Sequence, residues 1–521
     1  MTDSRKIASE TVHSLNSGKG HLNISCLWDM IPLLARFMVV LGLFSFGSPP
    51  GPAYGDDFRS TALRGVHLLL WQPTGQFTHF SATGNPAALF EDWHRNRVDI
   101  ASGYQSETGD LHRLYDPAAQ DNLHFRVDSW QNISAHQILY GGIHYSWLRL
   151  HQVSYALEPT PYDDDPQVIA DTTVGNFRYQ GPQIRAAYAV QFSPRFSAGF
   201  KFQYGLCNGA KRRYSFARIL RRQVLPGMGI TFRVNPTIQL GALVEWHDVK
   251  DRIELTRDVL TGEDVLVRFY RREVAYQQHV GDLTHERDWS APRLLLSLFH
   301  RASTGRIIQM ASVSYRSPRQ QLHHRTTVLN KASDWFASEW QMHYQLRWRD
   351  SRNRWRAGLR VEGEYFSSFS QHPELDILIT ERTRTNGLVE LAAGFRGKFG
   401  QLFTQGGYAL LNDRYTDYQS HWQEETKGGT WHFSLMLETN RIRSYRLIIG
   451  GRVRQQNLSG WSSYYLPDFG EWRLLLGMEK LNQTLQPGLL LEYFQRQASD
   501  SPDSYQGIRI RLFLSRFPIR E

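Results

Sequence analysis

The feature that most constrains the fold of this chain is an alternation of apolar and polar residues with a period of two. Successive side chains of a β-strand point to opposite faces of the sheet, so such an alternation predicts a strand with one apolar and one polar face. The pattern recurs throughout the sequence, in residues 196–206, 238–246, 340–349, 355–362, 431–437 and 508–514. We therefore predict an all-β fold.

Three features favour a membrane barrel over a soluble β-sandwich. The predicted strands are about ten residues or longer, which is the length of a tilted membrane crossing. Trp246, Trp340 and Trp348 stand at the ends of apolar faces, as interfacial aromatic residues do. Tight connections, as at Ser193–Arg195, alternate with long polar segments, as at 207–227 and 249–291. Outer-membrane barrels have this arrangement of short periplasmic turns and longer extracellular loops.

The predicted fold class is thus a transmembrane, antiparallel, up-and-down β-barrel of about 18 strands, with 16 as the alternative. Counting from Gln137 gives about 17 crossings, and the region 98–131 is expected to supply one more. The last predicted strand runs from Gln506 to Phe517. It should pair with the first strand, because hydrocarbon offers no hydrogen-bond partner to an open sheet edge.

The predicted domain organisation begins with a leader. Residues 37–46 form an apolar core of signal-peptide length after Arg36, followed by small residues at Gly51 and Ala53. We predict a signal peptide with an extended N-terminal region at 1–53, with Met1, Met30 and Met38 open as the start. The other predicted segments are a periplasmic segment or plug at 54–97, the outer-membrane barrel at 98–517 and a short tail at 518–521.

Composition excludes some classes of protein. A mean hydropathy of −0.46 is too polar for a helical membrane protein, whereas 13% aromatic residues suit a barrel with aromatic girdles. The formal net charge of +10 raises the question of nucleic-acid binding. The arginines recur at alternate strand positions instead of forming one patch, so we expect no nucleic-acid partner.

The recurring arginines are expected to line the barrel interior, because an Arg on the lipid face costs about 2–4 kcal/mol at mid-membrane. One interpretation is a basic lumen that favours anionic solutes. The other is a network of Arg and Glu residues that fills the lumen, with counter-charges such as Glu362 and Glu390. The predicted lumen-lining residues are Arg347, Arg349, Arg356, Arg360, Arg452, Arg454, Arg509 and Arg511. Arg212, Arg213, Arg221 and Arg222 are instead predicted to lie in a loop.

Motifs for catalysis or metal binding are weak. Asp163–Asp165 resembles a solvated acidic loop more than a Ca²⁺ site, because no EF-hand spacing is present. His323 and His324 are interpreted as an exposed loop pair, since adjacent histidines seldom reach one metal ion. No Gly-x-Ser-x-Gly motif is found. We expect no enzymatic activity, no cofactor and no metal.

A short motif resembles a known family. Asn85-Pro86-Ala87, within Gly84–Leu89, is similar to a segment that precedes the first strand in long-chain fatty-acid-transporter-like barrels. Tyr140–Ser146 resembles an uncharacterised outer-membrane barrel family that shares this start, and the resemblance covers roughly residues 84–250. It implies a barrel in the bacterial outer membrane. The expected partners of such a barrel are membrane lipid and lipopolysaccharide, the latter at the arginines of the loop predicted above. The last strand is similar to the signal read by the barrel-assembly machinery, although Phe517 is out of phase.

The expected function is that of a channel or facilitator for a small solute of unknown identity, with anionic and amphipathic solutes as candidates. The alternative is a non-conducting scaffold, or an accessory of secretion or surface display. A lipid hydrolase is the third hypothesis.

Overall fold

The computed structural model describes most of the chain after residue 78. The described residues are 79–92, 96–111, 116–153, 157, 168–171, 174–211, 216–256, 266–271, 274–280, 282–325, 329–439, 445–460, 468–480, 485–499 and 501–516. The predicted signal peptide and the predicted C-terminal tail lie outside these residues.

The described chain is almost entirely β-strand. Its strands, numbered in chain order, are β1 (Arg97–Gly109), β2 (Ala119–Ser134), β3 (Gln137–Val153), β4 (Val168–Asp171), β5 (Gly175–Ser193), β6 (Phe196–Lys211), β7 (Phe216–Arg233), β8 (Ile238–Thr256), β9 (Leu266–Arg271), β10 (Val274–Val280), β11 (Leu283–Arg301), β12 (Ile307–Arg316), β13 (Arg319–Arg325), β14 (Leu329–Arg349), β15 (Trp355–Gln371), β16 (Leu378–Arg396), β17 (Gly400–Asp417), β18 (Trp422–Thr439), β19 (Tyr445–Ser459), β20 (Phe469–Lys480), β21 (Leu485–Ala498) and β22 (Ser504–Arg516).

Nineteen of these strands form one closed antiparallel sheet. β12 and β13 occupy a single position in it, because both pair with β11 and with β14 and only Ser317 and Pro318 separate them. β1 pairs with β22, with Ser102 opposite Leu512, and this pairing closes the sheet into a cylinder. The prediction of an up-and-down barrel of 18 strands is confirmed.

The number of strands counted from the sequence is correct because two errors in the count cancel. The region 98–131 was expected to hold one crossing but holds most of two, β1 and β2, joined by a connection after Gly109. From Gln137 onward the barrel has 16 positions, one fewer than the sequence count. Ser102 and Ser106 lie on the outer face of β1, opposite exposed apolar residues of its neighbours, and interrupt its apolar alternation, which explains the missed strand.

Several predicted long loops are wrong, because the strands continue through them. Residues 207–227 fall mostly within β6 and β7, so Arg221 and Arg222 are strand residues and not loop residues; Arg212 and Arg213 lie outside the described residues. The outward side chains of β8 change from apolar to charged after Trp246, where Arg222 pairs with Asp248 at 3.1 Å. The backbone ladder runs on past this change, since its hydrogen bonds do not depend on side-chain polarity.

The two faces of the barrel differ as the alternation predicted. Large apolar side chains are exposed on the outer face, among them Phe200, Val244 and Leu391. Trp and Tyr side chains border this apolar belt toward both ends, as in an interfacial girdle: Tyr104, Trp147, Trp246, Tyr365, Trp431 and Trp472 toward the long-connection end, and Trp348 and Trp355 toward the tight turns. Polar and charged side chains occupy the inner face.

Two smaller elements accompany the barrel. A segment before β1 contains α1 (His79–Thr83), a 3₁₀ turn (Pro86–Ala88) and α2 (Leu89–Asp92). At the long-connection end, β4, β9 and β10 form a separate three-stranded sheet, and Leu157 and Ile169 pack into an apolar cluster with Phe177, Ile219 and Ile253. Within the described residues, no helix is long and apolar enough to cross a bilayer.

Candidate functional site: the barrel lumen

The segment His79–Asp92, here called the docked segment, lies against the inner wall near the tight turns. Asn85 is fully buried and holds its centre. Its side-chain oxygen accepts a hydrogen bond from the Ala87 N–H at 3.0 Å, which caps the 3₁₀ turn. Its amide nitrogen donates to the carbonyls of Ile230 and Ala242 at 3.0 and 3.1 Å, on β7 and β8. Asn85 therefore fixes the turn and joins it to the wall.

Three glycines on the inner face make room for this segment; we call them the glycine seat. A Cβ atom at Gly199 would lie 2.8 Å from the Ala87 nitrogen and the Pro86 carbonyl carbon, and one at Gly229 would overlap Asn85. A Cβ atom at Gly241 would lie 2.9 Å from the His79 ring. Real Cβ atoms do not approach other atoms so closely, so β6, β7 and β8 accept the segment because they lack side chains at these positions.

His79 secures one end of the docked segment. Its ring is buried between Gln239 and Ser297, at 3.1 and 2.8 Å, and stacks on Phe299 with ring centroids 5.6 Å apart. Burial removes the ring from water and lowers its pKa from 6.5 to about 4, while the hydrogen bond that the ring donates to the Gln239 side-chain oxygen opposes this in part. His79 is therefore neutral at physiological pH.

The other end of the docked segment is held by apolar packing. Leu89 is fully buried in a cluster with Trp130, Ile138, Tyr140, Ala187 and Ala189 on β2, β3 and β5. Between the two ends, the Lys201 ammonium donates to the Gly84 carbonyl at 3.0 Å and pairs with Glu245, which also binds Arg293 at 2.9 Å. The segment thus contacts strands from β2 to β11, on one side of the barrel.

The lumen face of β14–β22, with β1, forms the charged wall. Arg360 pairs with Glu362 and, at 3.1 Å, with Glu390, and His432 lies 3.0 Å from Glu390. Nearer the long connections, Arg382 makes a two-pronged contact with Asp413 at 2.7 and 2.6 Å. Planar guanidinium and carboxylate groups match in this geometry, which fixes both side chains.

A second network lies on β20–β22. Arg473 is almost fully buried and bonds to Glu471 at 2.6 Å and to Glu492 at 2.8 Å. Glu471 also binds Arg496 at 2.9 Å. The guanidinium groups of Arg473 and Arg496 lie 4.9 and 5.9 Å from the Phe494 ring centroid. Aromatic faces and carboxylates together hold these arginines in the wall.

The structure places the eight predicted lumen arginines in two sets. Arg349 and Arg356 are at the tight turns, where they bond to the Gly305 carbonyl at 3.0 Å and the Asn353 side chain at 3.3 Å. The other six lie on the inner face of their strands: Arg347, Arg360, Arg452, Arg454, Arg509 and Arg511. Their role in a solute path stays a prediction, as does that of Asn85, Pro86 and Ala87.

Sequence reasoning missed the glycine seat and misplaced a histidine pair. His323 and His324 are on β13 and not in an exposed loop; His324 is buried with its ring 5.1 Å from that of His285. The acidic run 163–165 lies outside the described residues. Among the residues described, no group of three or more His, Cys, Asp or Glu side chains could hold a metal ion.

Transport proteins are among the solved structures with distant similarity to this chain. One is a FadL homologue from Pseudomonas aeruginosa, at 9% identity and a TM-score of 0.33, covering 91% of this chain and 99% of that one. The toluene transporter TodX of Pseudomonas putida matches at 8% identity and 0.34, covering 83% and 92%. The ferric citrate transporter FecA matches at 8% and 0.40, covering 81% and 78%. No curated protein is significantly similar in sequence.

A family model matches residues 86–374, starting within the Asn-Pro-Ala motif. The match extends well beyond residues 84–250, to which the resemblance noted in the sequence was confined. It covers more than half of the chain and includes the 3₁₀ turn of the docked segment, the glycine seat and the first part of the charged wall. The chain therefore belongs to the family of unknown function DUF6850.

Proposed function

We propose that the protein is an integral barrel of the bacterial outer membrane that lets a small solute cross through its lumen. The observation that carries this proposal is the inversion of its faces, with apolar side chains outside and ion-paired side chains inside a closed sheet. A soluble barrel would have no reason to expose rows of Leu, Ile and Phe to water. Anionic and amphipathic solutes are the candidates.

The docked segment is proposed to narrow this path near the periplasmic end. Its described contacts are with β2–β11, and the charged wall is formed by β14–β22 and β1. A solute would pass beside the segment or after its release. The proposal involves no catalytic step, and contacts with lipopolysaccharide and with the assembly machinery stay predictions.

A non-conducting scaffold is the second candidate, and one observation favours it. The apolar cluster that includes Leu157 and Ile169 covers the long-connection end on the same side as the docked segment. If these elements together fill the lumen, the barrel would serve only as a platform for its extracellular strands and connections.

Single-channel recording in planar bilayers distinguishes these functions. We expect discrete conductance steps from the purified full-length protein, and larger steps after deletion of the docked segment. The deletion variant must keep the heat-modifiable electrophoretic mobility of a folded barrel. A folded protein that is silent in both forms would contradict solute passage and support the scaffold.

A further inference from the structure

Arginines form a diagonal row on the inner face from β20 to β5, here called the arginine stripe. It consists of Arg496, Arg473, Arg509, Arg511, Arg126 and Arg185. The steps follow the strand register. Glu492 is opposite both Leu475 and Arg509, Arg511 is opposite Gly103, and Gly103 is opposite His124. Arg126 is opposite His144, and Arg185 is opposite Gly142.

The two halves of the stripe differ in their counter-charges. In the first half, Arg473, Arg496 and Arg509 share Glu471, Glu492 and Glu107. In the second half, Asp128 pairs with Arg126 and accepts a hydrogen bond from Tyr140 at 2.6 Å, and Glu492 attracts Arg511. Arg126 and Arg511 lie near each other, with His124 close to both.

Exposure differs in the same way. Arg473 is 1% exposed, whereas the Arg126 side chain is 45% exposed although it points into the lumen. Arg511 is also exposed and points inward, between Ile510 and Leu512 of the outer face. These guanidinium groups therefore face open interior space, where a dissolved anion can reach them.

Neighbouring residues shape this space. A Cβ atom at Gly103 would lie 2.5 Å from the His124 ring, so the glycine lets this ring lie between Arg511 and Arg126. The rings of His124 and His144 are edge to face with centroids 6.0 Å apart. The Arg185 guanidinium donates to Gln183 at 2.7 Å, which orients it along the wall. Imidazole and guanidinium groups are both hydrogen-bond donors suited to oxyanions.

The second half of the stripe ends at the docked segment. Tyr140, which binds Asp128, also contacts Phe80 with ring centroids 6.0 Å apart. Ala187, two residues after Arg185 on β5, packs against Leu89. An anion held by the arginines would therefore lie directly beside the segment that narrows the path.

We propose that Arg126, Arg185 and Arg511, with His124 and His144, form an anion-binding site for the carboxylate or phosphate group of a small solute, next to the docked segment. The proposal names the solute class and rests on the proposed function for its role in transport. The binding site itself can be tested without any passage of solute.

The test is isothermal titration of the detergent-purified full-length protein with sodium succinate and, separately, sodium phosphate at constant ionic strength. We expect at least one anion to bind, and the stronger of the two identifies the solute as carboxylate or phosphate. Arg511→Gln should weaken that binding about tenfold, because each charge-assisted hydrogen bond is worth roughly a factor of ten or more. Arg126→Gln should act in the same direction.

Arg414→Gln is the matched control, since Arg414 is an exposed arginine paired with Glu425 outside the lumen, and its titration should equal that of the wild type. Arg511→Lys, which keeps the charge, is expected to retain most of the affinity. A wild type that binds neither anion overturns the proposal, and so does an Arg511→Gln protein with unchanged affinity. Anion binding without conductance in bilayers would contradict solute passage and leave the site established.

Discussion

The two sides of the lumen are built by different means. On the side of β2–β11, the wall has no side chains at Gly199, Gly229 and Gly241, and the docked segment fills the space. On the side of the charged wall, long side chains extend from the strands and bind one another, as Arg360 binds Glu362 and Glu390. The first side is organised by the docked segment and the second by side chains of the barrel strands. We therefore expect the docked segment to be able to leave the wall while the barrel stays folded, whereas the charged wall cannot be rearranged in this way.

The largest effect that tests this comparison is expected in the charged wall. Asp413→Asn would leave Arg382 buried without its carboxylate, which costs about 3–5 kcal/mol when a buried pair loses one partner. Urea unfolding of the barrel in lipid vesicles measures this loss. The double variant Arg382→Met/Asp413→Leu should regain most of the stability, because a buried pair can often be replaced by apolar residues at little cost. Equal losses in both variants would contradict this interpretation of the wall.

Acid should act on the other side of the lumen. The pKa of His79 is lowered to about 4 in the docked state, so docking is favoured fully above the ordinary pKa of 6.5 and weakens as the pH falls through this window toward 4. The full shift corresponds to a loss on the order of 3 kcal/mol of docking free energy. Hydrogen exchange of the Ala87 and Ala88 amides at pH 7 and pH 4.5, corrected for intrinsic rates, measures it.

His79→Gln is the control for this effect, because a glutamine can bond to Gln239 and Ser297 but does not titrate in this range. Its docked segment should show the same protection at both pH values. Protection that falls equally in wild type and variant would assign the acid effect to another group.

Filling the glycine seat should release the docked segment at neutral pH. Gly199→Ala would force a methyl group against the backbone of Pro86 and Ala87, and overpacking of this kind costs about 1–3 kcal/mol. The amide of Ala87 should then exchange faster while the barrel keeps its folded electrophoretic mobility. Gly363→Ala, on the outer face with no atom within 4 Å of the added carbon, should change nothing. Unchanged exchange in Gly199→Ala would mean that the seat does not hold the segment.

The smallest effect is expected where charges are exposed. Arg414 pairs with Glu425 at 3.0 Å beyond the apolar belt, with 68% of its side chain exposed. Arg414→Gln should leave the midpoint of urea unfolding essentially unchanged, because water and salt screen such pairs. Urea unfolding alongside Asp413→Asn gives the comparison directly. Similar losses in the two variants would show that lumen burial adds nothing to an ion pair in this barrel.

The sequence predicted the architecture because alternation is a local signal. The residues on either side of Phe200, Trp340 and Trp355 are enough to assign these side chains to the outer face of the sheet. The same local alternation assigns Arg360 and Arg509 to the inner face. The ends of strands are harder to predict from sequence. Arg221 and Arg222 are polar, as loop residues often are, but the ladder of backbone hydrogen bonds between β7 and β8 continues through them. The same ladder places His324 within β13.

The docked segment and its seat could not be predicted in the same way. Gly199, Gly229 and Gly241 are on three successive strands and come together when β6, β7 and β8 pair in register. The Asn85-Pro86-Ala87 motif was the local signal of the docked segment. Its structural role depends on hydrogen bonds from Asn85 to Ile230 and Ala242, some 150 residues later, which the sequence does not reveal. Ion-pair partners such as Arg382 and Asp413 likewise depend on register.

The pairing of β1 with β22 has a consequence for biogenesis. Glu107 and Arg509 meet across this join although 402 residues separate them along the chain. Without β22, the sheet would have two open edges, and lipid offers no hydrogen-bond partner to their N–H and C=O groups. We therefore expect a chain that lacks β22 to be degraded, and not to insert as a smaller barrel.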